Sequence, residues 1–193
     1  MIDMTDCYKL TSELVQLDSC VTTKKQALRA FSEMAHASFG LEQSYVFSAL
    51  YERELIGSTC PCEGIALPHA KIENLDDFKL MLLRLREPIQ GDSSDWSRSQ
   101  VKTIFCLLVP LETQALEGTI ETSNTTTQTQ QILARLSRQL KCDDVRSALE
   151  CCDTLSNLNN LLSDYFKVTS SSVVLPTRLP SRARRSPTLL QFS

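Results

Sequence analysis

Apolar residues enter this chain sparsely. Leu10, Leu14, Val15 and Leu17 predict a short edge element docked on a core. Thr23-Lys-Lys-Gln26 then has capping-box spacing, in which a hydroxyl and an amide satisfy each other's backbone N–H groups, and it opens a helix. Ala27, Leu28, Phe31, Met34 and Ala35 fall on one face of that helix and Gly40 ends it. His36 lies off the face and is expected to be exposed. A second helix over residues 42–54 buries Val46, Phe47 and Leu50 and carries Arg53 on its last turn.

Beyond residue 70 the periodicity shortens. The run FKLMLLRL at residues 78–85, closed by Pro88, suits a strand buried on both faces. Residues 91–100 are polar, hold Trp96 and read as a loop. VKTIFCLLV at 101–109, ended by Pro110, is the clearest strand. A long polar connection over 111–129 is expected to be mobile. Helix follows at about 129–140 with Ile132, Leu133, Leu136 and Leu140 as its stripe. Asp143 and Asp144 cap a short helix, and Thr154 caps a last one that buries Leu155, Leu158, Leu162 and Tyr165. Two helices, several strands, then helices define an α/β fold: a mixed β-sheet flanked by helices in a single layered domain over residues 1–168.

Residues 169–193 differ in kind. They hold Pro176, Pro180, Pro187, four arginines and no acid, so a disordered Ser/Pro/Arg tail is expected. Without that tail the net charge moves from −3 to −7. Neither value suggests a nucleic-acid surface, which needs a basic excess. No secretory leader and no run of about 18 apolar residues is visible, so a cytoplasmic protein without membrane insertion is expected. Eight cysteines then read as reduced thiols. Adjacent Cys151 and Cys152 face different sides of a helix, one core and one exposed. Cys60-x-Cys62 with His69 offers three metal ligands at a spacing that structural zinc sites avoid, and no metal or other cofactor is expected.

The chemistry concentrates between Arg53 and Ala70. Gly57-Ser58-Thr59 supplies a turn with backbone N–H groups and two hydroxyls, and Ile65 to Leu67 leads into Pro68 and His69. His69 as a hydrolytic base would need a nucleophile elbow, which is absent. A neutral imidazole that itself attacks phosphorus fits better, because the phosphoryl oxygens need N–H groups, hydroxyls and a cation around them. Arg53 is equally a cation complementing the helix C-terminal dipole.

Arg53-Glu54, Gly57-Ser58-Thr59 and Gly64-Ile65-Ala66-Leu67-Pro68-His69 resemble, in order and spacing, the signature of fructose/mannitol-type enzyme IIA domains of the bacterial phosphoenolpyruvate-dependent phosphotransferase system. The chain is most similar to the nitrogen-regulatory enzyme IIA proteins, from about Leu10 to Phe166. The resemblance implies that His69 accepts a phosphoryl group from an HPr-like carrier, with Arg53 beside it and Gly57, Ser58 and Thr59 around the phosphate. It implies a phosphotransferase-system component rather than a free-standing enzyme, signalling to regulatory target proteins according to its phosphorylation state. Two other roles stay open: a binding module of this fold deficient in phosphotransfer, and a sugar-transport enzyme IIA feeding a membrane permease. The family usually has a second histidine at the head of the helix after the FCLLVP strand. Here that place falls at Thr129 and Gln130, which would act as neutral donors, and Cys60-Pro61-Cys62 replaces a glycine-rich turn.

Overall fold

A computed structural model describes residues 10–91, 94–111 and 122–166. The expected tail at 169–193 and most of the connection at 111–129 lie outside the described residues.

The structure is built around β4 (Lys79–Leu85) and β5 (Thr103–Pro110), two antiparallel strands with Met81 opposite Cys106 and Leu83 opposite Ile104. Their runs read KLMLLRL and TIFCLLVP, and nearly every side chain in both is buried. Continuous apolar runs of this kind need cover on both faces, so they occupy the middle of a sheet and not its edge. β1 (Val15–Ser19) runs parallel to β4 at one side, entered through a 3₁₀ turn at Ser12–Leu14. On the other side, β2 (Ile65–Ala66) and β3 (His69–Ile72) pair one after the other with β5, both parallel. The result is a mixed five-stranded open sheet flanked by helices.

Helix α1 (Lys24–Phe39) begins at the capping box that its sequence predicts: Thr23 Oγ1 accepts from Gln26 N at 3.2 Å, and Gln26 Oε1 accepts from Thr23 N at the same distance. It ends at Gly40, whose φ of +69° is a left-handed conformation that costs glycine little. α2 (Gln43–Ile56) starts with Glu42 as N-cap, its carboxylate accepting from Ser44 N and Tyr45 N. His36 is exposed, as expected. Phe47 and Met34 are half-buried and so lie at the margin of the core.

Three elements differ from the sequence reading. The polar stretch at 91–100 contains a short helix, α3 (Asp95–Arg98), and Trp96 is completely buried within it. Its indole N–H finds a buried carboxylate, which removes the cost of enclosing a polar group in an apolar setting. α4 spans Thr122–Leu140, so helix begins before residue 129. The Thr-rich segment has weak intrinsic helix propensity, and its described residues 125–131 are exposed or half-buried; the first core contact of the helix is Ile132. α5 (Asp143–Glu150) has Cys142 at the N-cap position, with Asp143 and Asp144 in its first turn, where they complement the helix dipole instead of capping it. α6 (Leu155–Phe166) buries Leu158, Leu161 and Leu162, and Asn157 N donates to Thr154 Oγ1 at 3.3 Å. Leu155 is half-buried, and the side chain of Tyr165 lies outside the described residues.

Arg84 fastens the C-terminal helices to the sheet. It is 6% exposed, and its guanidinium donates to the carbonyls of Leu149, Glu150 and Cys152 at the end of α5. Asp18 on β1 lies 3.5 Å from its other nitrogen. The buried cation thus meets the negative end of a helix. Cys152 is buried beside it while Cys151 is exposed, one core and one exposed as expected, but both lie past the last residue of α5 and not within a helix.

Candidate functional site

The last turn of α2 places two consecutive residues on opposite sides of the backbone. Arg53 points toward the start of β3, and Glu54 points inward and is 5% exposed. Glu54 Oε1 accepts from Trp96 Nε1 at 2.7 Å, and Oε2 accepts from Thr59 Oγ1 at 2.7 Å. Thr59 N also donates to Oε1 at 3.3 Å, and Lys24 Nζ stands 3.8 Å away. One buried carboxylate therefore joins α1, α2, α3 and the loop that follows α2. Sequence reasoning missed Glu54 as a functional candidate. The available signal was its place next to Arg53 together with a lone tryptophan in an otherwise polar stretch.

The loop from Gly57 to Gly64 is fixed at several points. Gly57 is in extended backbone (φ 171°), so its lack of a side chain is not demanded there by conformation. Its carbonyl accepts from Arg53 Nη1 at 3.2 Å. Ser58 is exposed, and its Oγ accepts from Cys60 N at 3.2 Å. Thr59 is buried with its hydroxyl committed to Glu54. Burial pushes the Cys60 thiol up to about 11. Cys62 Sγ donates to Leu140 O at 3.4 Å, and its sulfur also meets the Arg146 side chain, which pairs with Asp143. Gly64, at φ +82°, makes the left-handed turn that only glycine takes cheaply. Its carbonyl accepts from Lys102 N and Thr103 N, setting the register of β2 on β5.

His69 opens β3, held in line by pairing with Leu107. Its Nδ1 is 3.0 Å from Leu67 O, and its Nε2 is 3.1 Å from Arg53 Nε. A carbonyl only accepts and the Arg Nε–H only donates, so the two contacts assign the proton to Nδ1 and the lone pair to Nε2. Burial lowers the pKa of His69 below its ordinary 6.5, the positive charge of Arg53 adds to that shift, and Leu67 O and Glu54 oppose it. The ring is neutral at pH 7.

Two cavities meet at this pair. One of about 210 Å³ is lined by Arg53, Ser58, Thr59, Cys60, His69 and Ser137, among others. The other, of about 440 Å³, lies between α2, β3 and α4 and includes Arg53, Ile56, His69, Lys71 and Thr129. The structure thus gathers Arg53, Ser58, Thr59, His69 and Thr129, with Gly57 on the Arg53 side chain. Gln130 is exposed and lines neither cavity. Thr129 Oγ1 donates to Thr125 O at 2.6 Å, so its proton is spent within α4. Among the described residues no cluster of three His, Cys, Asp or Glu side chains is placed to hold a metal ion. No helix among them is long and apolar enough to cross a membrane.

An open mixed sheet carries a neutral histidine at a parallel strand's start, with an arginine on its lone pair. Residues 9–165 match the family model described as the phosphoenolpyruvate-dependent sugar phosphotransferase system, EIIA 2, and the chain belongs to that family. A nitrogen regulatory protein of Klebsiella oxytoca is 39% identical over 92 residues, covering 47% of this chain and 55% of that one. The chain thus spans about half the length of the nitrogen regulatory relatives it matches. A fructose-specific EIIA component of a Haloferax volcanii phosphotransferase system is 29% identical over 165 residues, 84% of this chain and 98% of that one. The crystal structure of nitrogen regulatory protein IIA-Ntr from Neisseria meningitidis superposes with a TM-score of 0.67 at 24% identity, covering 82% of this chain and 98% of that one. IIA mannitol from Escherichia coli does so with a TM-score of 0.60 at 20% identity, covering 80% and 99%.

Proposed function

We propose that this protein is a phosphocarrier with a regulatory output, accepting a phosphoryl group on His69 Nε2 from the phosphohistidine of an HPr-like carrier. The observation that carries the reading is the tautomer: Nδ1–H is held by Leu67 O, and the nucleophilic lone pair at Nε2 points to a guanidinium. In the transfer the donor's N–P bond breaks as the Nε2–P bond forms, and the donor imidazole leaves with its electron pair. His69 keeps its Nδ1 proton throughout. Arg53 first releases Nε2 and then takes phosphoryl oxygens, so one cation orients the ring before transfer and screens charge after it. Ser58 lines the smaller cavity, the Gly57 carbonyl steadies Arg53, and Thr59 holds that loop on Glu54.

Leu55 and Ile56 support docking of a protein rather than entry of a small donor alone. They are 69% and 83% exposed at the end of α2, and Ile56 borders the His69 cavity. Apolar side chains so placed beside a reactive group suit the dry centre of a transient interface. Regulatory target proteins would use the same face and read the charge added at His69. The nitrogen regulatory names of several relatives favour this output over sugar transport.

The test is phosphorylation of the full chain by phosphoenolpyruvate, enzyme I and an HPr-like protein, followed by mapping of the labelled residue. One phosphoryl group per chain on His69, lost in His69→Ala, is expected. Normal partner binding with no label would establish the phosphotransfer-deficient module instead.

A further inference from the structure

A phosphoryl group on His69 would bring nearly two negative charges into a partly enclosed site. Arg53 offers one cation. Ser58 and Ser137 bring hydroxyls to the smaller cavity but no charge. The Thr129 hydroxyl proton is given to Thr125 O, the Thr59 hydroxyl proton is given to Glu54, and Gln130 lines neither cavity. Glu52, the one carboxylate lining the 440 Å³ cavity, adds repulsion.

Lys71 lines that same cavity. It lies two positions after His69 on β3, where burial alternates: His69 half-buried, Ala70 buried, Lys71 exposed, Ile72 buried. Strand side chains of period two share a face, and the spacing along the strand is roughly 6.6 Å, within reach of a lysine ammonium. Pairing of Lys71 with Val109 and of His69 with Leu107 fixes both residues on one register of β5. The Lys71 side chain has no hydrogen bond or ion pair among the described residues, so none has to break for it to turn toward the imidazole.

We infer that Lys71 is the second cation of the site, contacting the phosphoryl group on His69 from the cavity that it lines together with Arg53. This rests on the phosphohistidine reading above. Three donor groups, Arg53 Nε, Arg53 Nη and Lys71 Nζ, then face the three oxygens. The charge removed from solvent is matched without a second imidazole.

Phosphoramidate tests this on the full chain, because a small donor separates the chemistry at His69 from docking of a carrier protein. Its P–N bond breaks as Nε2–P forms, and its nitrogen, already protonated, leaves as ammonia. The rate of single phosphorylation, followed by ³¹P NMR, is compared among wild type, Lys71→Met, Lys71→Arg, Lys102→Met and His69→Ala. Lys71→Met should slow labelling by about tenfold, the size of one charge-assisted hydrogen bond. Lys71→Arg should stay within about twofold of wild type, and so should Lys102→Met, which removes the same charge from another cavity. Thermal unfolding of Lys71→Met should match wild type. Equal rates in wild type and Lys71→Met, with the label on His69, would overturn the role of Lys71 and leave the phosphohistidine reading intact. Equal labelling of wild type and His69→Ala, or no label on either, would overturn both.

Discussion

Arg53 and His69 stand sixteen positions apart in the chain, yet the Nε–H of one donates to the Nε2 lone pair of the other at 3.1 Å. The contact favours the neutral imidazole and, under the proposed function, marks the nitrogen that would react. Burial and the Arg53 charge both lower the pKa of His69. A ring so placed titrates below the ordinary value of about 6.5. Because the unfolded chain binds that proton more readily, this residue's contribution to stability is full above that value and is lost as pH falls below it through the lower folded-state pKa. Two-dimensional NMR of the ring should show a midpoint below 6.5 that rises in Arg53→Met. A midpoint unmoved by the substitution would contradict the assignment of Arg53.

Glu54 is predicted to matter as much for stability as for geometry. Glu54→Ala removes the acceptor for the Trp96 indole and for the Thr59 hydroxyl and backbone N–H, leaving buried donors unsatisfied. A loss of about 3 kcal/mol is expected in urea titrations followed by Trp96 fluorescence. Glu54→Gln, which keeps one acceptor, should cost less.

Arg84 makes a parallel case at the far side of the sheet. Arg84→Met fills the same volume but abandons the carbonyls of Leu149, Glu150 and Cys152 and the carboxylate of Asp18. Destabilisation of about 2–4 kcal/mol is expected, with amide exchange accelerated first in α5 and α6. Uniform acceleration across the sheet would show that these helices do not open separately.

The thiols should divide by environment. Cys20, Cys142 and Cys151 are exposed, Cys60 has its thiol raised to about 11, and Cys106 is fully buried, which pushes its thiol higher still. Iodoacetamide at pH 8 should therefore label the three exposed cysteines well before Cys60, and Cys106 only on unfolding, as read by peptide mass. Rapid labelling of Cys60 would show that the loop after α2 opens readily.

Much of this was legible in one dimension. The capping box at Thr23 and Gln26, the stop at Gly40, the buried runs of β4 and β5 and the order of elements all follow from local pattern, because caps and periodicity act between residues a few positions apart. The Arg53-to-His69 signature was legible too. The tertiary structure decided what depends on contacts between distant segments. The buried place of Trp96 needed the Glu54 carboxylate from another helix. The hydroxyl of Thr129 proved committed to its own helix, while Lys71 reached the cavity because strand pairing fixed its face. Above all, the sequence brought His69 and Arg53 together only through its resemblance to a family signature, and the fold put them in contact. Only the fold decided which ring nitrogen carries the proton, since that depends on a carbonyl at one end and a guanidinium brought across from α2 at the other.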